Sequence, residues 1–248
     1  MRKISVILCL SLTTLVQPAV GAGPVHVHLI GDSTISIKPL DLPNPERGWG
    51  QMLPLHFRDP TVVINAGRNG RSARSFIEDG SWAKVVPTLQ AEDWVIIQFG
   101  HNDASPGNPK TFTDPATTYR DYLRRMIRDV RAAGAFPILA TPTARREYGE
   151  DGRMLEMLGA YCAAARAVAT EEQLPLLDID ARLRELLLTL GPEGARALYL
   201  HFPPGMYARY PKGKADDLHL SILGASRVAE IAVGEIRRLA LPIQDLLR

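Results

Sequence analysis

The sequence predicts one α/β domain built as a three-layer α/β/α sandwich, with a central parallel five-stranded sheet and helices on both faces. Three observations carry that expectation. After residue 22, strand-like segments alternate with helix-like ones, which is the pattern of parallel strands joined by helical crossovers. The most apolar segment, Asp93-Trp94-Val95-Ile96-Ile97-Gln98-Phe99, is continuous rather than alternating, as suits a central strand covered on both faces. No Pro/Gly/Ser-rich linker divides the chain, and it contains no internal repeat or low-complexity tract.

The amino terminus is set apart first. Met1-Arg2-Lys3 precedes an apolar run from Ile4 to Val16 that closes on Val20-Gly21-Ala22, the layout of a secretory signal peptide too short to span a bilayer. Residues 1–22 are therefore expected to be removed, and 23–248 to form the domain. That places the mature protein outside the cytoplasm, periplasmic or extracellular, with no membrane anchor. Without Arg2 and Lys3, 27 basic residues face 27 acidic ones, so there is no electrostatic case for nucleic acid. Cys162 is then the remaining cysteine, which excludes an internal disulfide, and its apolar neighbours suggest a small buried side chain.

Val25, Val27 and Leu29 alternate with His26 and His28, a period of two that predicts the first strand, ending in Gly31-Asp32-Ser33-Thr34. Residues 48–57 suggest a short helix broken near Pro54. Thr61-Val62-Val63-Ile64 predicts the second strand and residues 67–74 a polar loop. A short amphipathic helix is expected from Trp82 to Leu89, and the third strand over 93–99. Asp114-Pro115 predicts a helix start with an acid at the cap; Tyr119, Tyr122, Leu123, Met126, Ile127 and Val130 recur at helical spacing, and Gly134 stops it. Ala135 to Ala140 predicts a fourth strand, Met154 to Val168 a helix, and Leu174 to Ile179 a fifth strand. Residues 191–214 predict a long irregular loop, a feature often functional in compact domains. A last helix carrying Ala225, Val228, Ala229, Ala232, Ile236 and Leu239 on one face follows Asp216-Asp217-Leu218-His219-Leu220-Ser221.

The chemistry is read from four of these stretches. Ser33 stands at the carboxyl end of a first strand, where open α/β sheets place their ligands. A serine hydroxyl needs a base to take its proton, and of the six histidines His219 is best placed, with acids two and three residues before it. An acid three residues earlier can turn its carboxylate onto Nδ1, fixing the tautomer that leaves Nε2 for the serine; alternatively both acids only cap the helix that follows. Gly70 offers a backbone N–H and Asn102 a side-chain amide, each after a strand, as donors for an oxyanion. There is no Gly-x-Ser-x-Gly elbow, no phosphate-binding Gly-x-x-x-x-Gly-Lys and no His-Glu-x-x-His, which removes the standard α/β-hydrolases, nucleotide-triphosphate enzymes and common zinc peptidases.

Together, Gly-Asp-Ser33, Asn-Gly70-Arg-Ser, Gly-His-Asn102-Asp and Asp-Asp-Leu-His219 resemble the four blocks of the SGNH (GDSL-type) hydrolase superfamily. Within it, Gly70 to Phe76, the Phe99 to Asp103 block and the Phe202 to Lys214 loop look like the rhamnogalacturonan acetylesterases. The resemblance implies a flavodoxin-like sheet and a secreted serine esterase that deacetylates pectin. It assigns Ser33, Asp216 and His219 as triad, Ser33, Gly70 and Asn102 as oxyanion donors, and neither metal nor other cofactor; Asp217 lies off the family's spacing. The alternatives are another esterase or lipase of the superfamily, acting on acetylated xylan or small acyl esters, and a non-catalytic carbohydrate-binding module stacking sugars on Trp49, Tyr207 and Tyr210. Arg71, Arg74 and Lys214 are candidate partners for uronate carboxylates.

Overall fold

Residues 25–248 are described by a computed structural model; the leader expected at 1–22 lies outside them. Five strands form one parallel sheet: β1 (Val27–Gly31), β2 (Val63–Asn65), β3 (Trp94–Gln98), β4 (Phe136–Ala140) and β5 (Leu176–Leu177), in the order β2-β1-β3-β4-β5. β1 pairs with β2 on one side and β3 on the other, with Val27 opposite both Val63 and Trp94. Side chains alternate across each strand and divide the core into two layers. Val27, Leu29, Ile96, Ile138 and Leu177 pack with α1 (Trp49–Met52), α6 (Ile179–Ala195) and α7 (Ile222–Arg238). Ile30, Val95, Ile97 and Leu139 pack on the other face with α2 (Ala73–Glu78), α3 (Ser81–Val85), α4 (Thr118–Ala132) and α5 (Gly159–Glu171).

Several boundaries differ from the sequence expectation, each for a local reason. β1 is buried along its whole length rather than on alternate positions, because His28 is covered and paired through Nε2 with Asp93 at 3.0 Å. The β-branched run 61–64 is split: Asp59 accepts the Thr61 N–H and holds Pro60–Val62 in a 3₁₀ turn, so β2 starts at Val63. Ser72 and Ser75 form a reciprocal capping box that starts α2 inside the predicted loop. Asp114 caps a turn by accepting the Ala116 and Thr117 N–H groups, and α4 begins only at Thr118. β5 is two residues long because Asp178 already caps α6, a helix the apolar spacing did not disclose.

Pro137 is tolerated inside β4 for a geometric reason. The Phe136 N–H bonds to Asp93 on the β3 side and the Leu139 N–H to Pro175 on the β5 side, so the Pro137 nitrogen faces the side where β5 has not yet begun. The predicted loop 191–214 contains the first strand of a second sheet and ends where the other strand begins. After a kink at Gly191 in α6, β6 (Tyr199–Phe202) pairs antiparallel with β7 (Lys214–Leu220), and residues 203–213 form the connection. Short, alternating polar strands such as His201 and Asp217 belong to carry too little apolar signal to be read in isolation.

Candidate active site

β1 ends where the sheet edge opens, and Gly31 is required there because a Cβ would run into the Gln98 carbonyl of β3. The next turn is fixed by Asp32, whose Oδ1 accepts the Thr34 N–H at 2.9 Å and the Thr34 hydroxyl at 2.8 Å. Ser33 is presented on that turn, and its Oγ lies 3.0 Å from His219 Nε2. The other ring nitrogen, Nδ1, lies 2.9 Å from Asp216 Oδ2. Asp216 is itself anchored: Oδ1 accepts the backbone N–H groups of Leu218 and His219, each at 2.9 Å. Burial works against its charge, yet the hydrogen bonds from the His219 ring and backbone hold the carboxyl well below the usual carboxylate range. An ionised Asp216 makes Nδ1 the donor and leaves the Nε2 lone pair toward Ser33.

His219 therefore sits in an extended strand, β7, and the two acids do not cap the following helix. Ser221 does, accepting the Gly224 N–H at 3.0 Å. The second acid has a separate partner set. Asp217 Oδ1 accepts Arg146 Nε at 2.6 Å and His201 Nε2 at 2.7 Å, and the Arg146 N–H bonds to the Asp217 carbonyl at 2.8 Å, tying β7 to the loop after β4. Nothing in the spacing discloses Arg146 or His201, because their partnership is made across 71 and 16 residues.

Four of the five remaining histidines are tied up elsewhere. His26 and His28 meet Asp93 at the opposite end of the sheet, and His201 holds Asp217. His101 is buried against Thr143 Oγ1 at 2.9 Å, and burial lowers its pKa to about 4, so its ring is neutral near pH 7. Of the histidines, His219 is the one hydrogen-bonded to the Ser33 hydroxyl.

Gly70 and Asn102 follow β2 and β3, the two strands that flank β1, so three adjacent strands deliver Gly70, Ser33 and Asn102 at one edge. Gly70 has φ +72° with open space around the absent side chain, so backbone conformation rather than crowding demands glycine there. Asn102 Nδ2 donates to the Arg71 carbonyl at 2.9 Å, which orients the carboxamide and joins the loops of Gly70 and Asn102. Asp103, one residue on, is buried; its carboxyl accepts the Ala73 N–H at 3.1 Å and the Thr113 hydroxyl at 2.8 Å, and burial raises its pKa to about 7.

A cavity of about 510 Å³ beside Gly70 is lined by Arg71, Arg74, Asn108 and Lys110, and one of about 620 Å³ along the β6–β7 ribbon by Arg196, His201, Phe202, Lys212 and Lys214. Arg71 and Arg74 are neutralised by Asp79 and Glu78, and Lys214 stands 3.3 Å from Asp216 Oδ2. Trp49 is no stacking platform: it is wholly buried and its indole donates to Gln98 at 2.7 Å. Tyr207 and Tyr210 are half-buried around Phe202. Cys162 is buried and burial pushes its thiol far up, away from reactivity. Among the described residues no three His, Cys, Asp or Glu side chains stand as a metal-ligand group, and no helix is long and apolar enough to cross a membrane.

A parallel doubly wound sheet bearing a serine–histidine–carboxylate relay, without an elbow motif, defines a class of serine acylhydrolase. Residues 29–227 match the GDSL-like Lipase/Acylhydrolase family, and the chain belongs to it. It is 35% identical over 226 residues to the rhamnogalacturonan acetylesterase RhgT of Bacillus subtilis (strain 168), covering 90% of this chain and 94% of that one. It is 34% identical over 220 residues to the probable rhamnogalacturonan acetylesterase YesY of the same organism, covering 89% and 96%. Among solved structures, the YxiM protein of Bacillus subtilis superposes with a TM-score of 0.75 at 29% identity; the match covers 89% of this chain and only 58% of that one.

Proposed function

We propose that this chain is an exported serine esterase that removes O-acetyl groups from a pectic polysaccharide, rhamnogalacturonan, through an acyl-enzyme on Ser33. The observation that carries the mechanism is the unbroken Ser33–His219–Asp216 relay, with contacts of 3.0 and 2.9 Å. Two relatives of nearly full coverage, named for rhamnogalacturonan acetyl esters, support the substrate.

Ser33 Oγ attacks the acetyl carbonyl carbon while His219 Nε2 takes the hydroxyl proton. Asp216 stabilises the imidazolium so formed. The carbonyl oxygen becomes an alkoxide, for which the Ser33 and Gly70 N–H groups and the Asn102 amide serve as donors. On collapse the C–O bond to the sugar breaks and the sugar oxygen takes the proton from His219. Water then attacks the acetyl-serine with its proton passing to Nε2, and acetate leaves as the proton returns to Ser33. No metal or other cofactor has a step in this scheme. An acetyl group needs only a small acyl site beside an open groove, and the cleft along the β6–β7 ribbon, with Arg196, Phe202, Lys212 and Lys214 in its lining, offers basic and aromatic groups to a sugar chain.

The test is acetate release from acetylated rhamnogalacturonan, acetylated xylan and a long-chain ester at matched acyl concentration. The expected order is rhamnogalacturonan first, xylan slower, and little action on the long chain. Equal rates on xylan would remove the pectin assignment and leave the esterase mechanism standing.

A further inference from the structure

A second polar cluster lies behind the relay and takes no part in the proton transfers. Lys38 has a side chain only 3% exposed; its ammonium donates to Asn69 Oδ1 at 2.6 Å and pairs with Glu46 Oε1 at 2.8 Å. The same Asn69 oxygen accepts the Ser36 hydroxyl at 2.6 Å. Glu46 Oε2 accepts the Tyr210 phenol at 2.9 Å, the Glu46 backbone bridges to Ser221, and the Arg47 N–H bonds to the Leu220 carbonyl at 3.1 Å. Asn69 immediately precedes Gly70, Leu220 immediately follows His219, and Ser36 and Lys38 lie on the loop that begins with Ser33. One ion pair thus touches the loop of the serine, the loop of the glycine donor, and both the strand end of the histidine and the ribbon connection beside it.

Stability is a poor reason for such a pair. Stripping water from an ammonium and a carboxylate offsets most of their attraction, and apolar side chains of similar volume are often equally stable or more so. An apolar pair cannot, however, fix the amide oxygen of Asn69 and the phenol of Tyr210 at hydrogen-bonding length and direction. We propose that Lys38 and Glu46 are positioning residues that set the spacing between the Gly70 N–H and His219, so that oxyanion donor and base meet one acyl group in register. This rests on reading Ser33, Gly70 and His219 as the hydrolytic site. A shift of about 1 Å in such an arrangement costs about 10²-fold in rate, so a small relaxation of the pair is visible in turnover.

The test compares Tyr210→Phe, Lys38→Met and the double variant Lys38→Met/Glu46→Leu in the intact protein, by kcat and KM on 4-nitrophenyl acetate and by Tm, with Ser33→Ala alongside. Lys38→Met leaves the largely covered Glu46 carboxylate without its cation, so it loses both Tm and kcat. The double variant is expected to regain a Tm close to wild type while kcat stays about 10- to 100-fold down and KM moves less than about threefold. Tyr210→Phe keeps its ring on Phe202 and is expected to lower kcat about three- to tenfold at nearly unchanged KM and Tm. A double variant with wild-type Tm and wild-type kcat makes the pair structural only and overturns the proposal. If the double variant does not fold, wild-type kcat in Tyr210→Phe overturns it. Retained activity in Ser33→Ala instead defeats the hydrolytic reading, so the two failures are told apart.

Discussion

Replacing each of the two adjacent acids by its amide separates the relay from its scaffold. In Asp216→Asn the side-chain oxygen still accepts the Leu218 and His219 N–H groups, which keeps the turn and fixes which way the amide points. Its NH₂ then replaces the oxygen that faces His219 Nδ1, and Lys214 Nζ, at 3.3 Å from that oxygen, opposes the same NH₂. A donor at Nδ1 selects the wrong tautomer, with hydrogen on Nε2 facing Ser33, and removes the charge that stabilises the imidazolium. The expected loss is about 10³- to 10⁴-fold in kcat/KM, equivalent to about 4–5.5 kcal/mol of transition-state stabilisation. In Asp217→Asn an oxygen remains to accept Arg146 and His201, the relay is untouched, and the change in kcat/KM is about threefold or less, with a modest fall in Tm from the weakened charge-assisted bonds. The assay is kcat/KM on an acetyl ester from acid to alkaline pH for both variants, with near-ultraviolet circular dichroism as the control for folding. Equal losses, or the reverse ranking with both variants folded, would refute the assignment of Asp216.

Two further outcomes follow from the donors and the buried acid. Asn102→Ala removes an amide already oriented by Arg71, and turnover should fall about 10²- to 10³-fold with a smaller change in KM; a large KM effect at normal kcat would move Asn102 to ground-state binding. Asp103 has a folded pKa raised to about 7 by burial, against about 3.9 unfolded, so the folded state keeps a proton that the unfolded chain releases. Its contribution is whole below about pH 4 and is lost as pH rises toward about 7, so Asp103→Asn should flatten the dependence of Tm on pH across that window; identical slopes for wild type and variant would contradict it.

The parts of the fold that were legible share one property: their signal is local and repeated. Continuous apolar runs such as 94–98 and helical spacing such as Tyr119 to Val130 each report burial residue by residue. The Ser33–His219 pairing was legible because each stands at the end of such an element or beside one. What escaped was set by single side chains or by pairing at a distance. Asp59, Ser72 and Asp178 moved element boundaries through one cap each, and the β6–β7 ribbon exists only through pairing of two short polar strands. A sugar platform at Trp49, open only as part of the non-catalytic alternative, could not be settled from sequence, because an aromatic's burial is decided by what covers it, here Gln98 and the α7 layer. Lys38, Glu46 and Arg146 look like ordinary surface charges in sequence; their partners lie in loops far along the chain.

Trapping the intermediate tests the central claim most directly. Wild-type protein is mixed with an acetyl ester, quenched in acid within the first turnovers, digested and sequenced by mass spectrometry, with Ser33→Ala as the control. The relay requires one acetyl group on the peptide that contains Ser33, none in the variant, and loss of acetate release with it. An acetyl group carried on another residue, or acetate released by Ser33→Ala at the wild-type rate, would contradict the acyl-enzyme account.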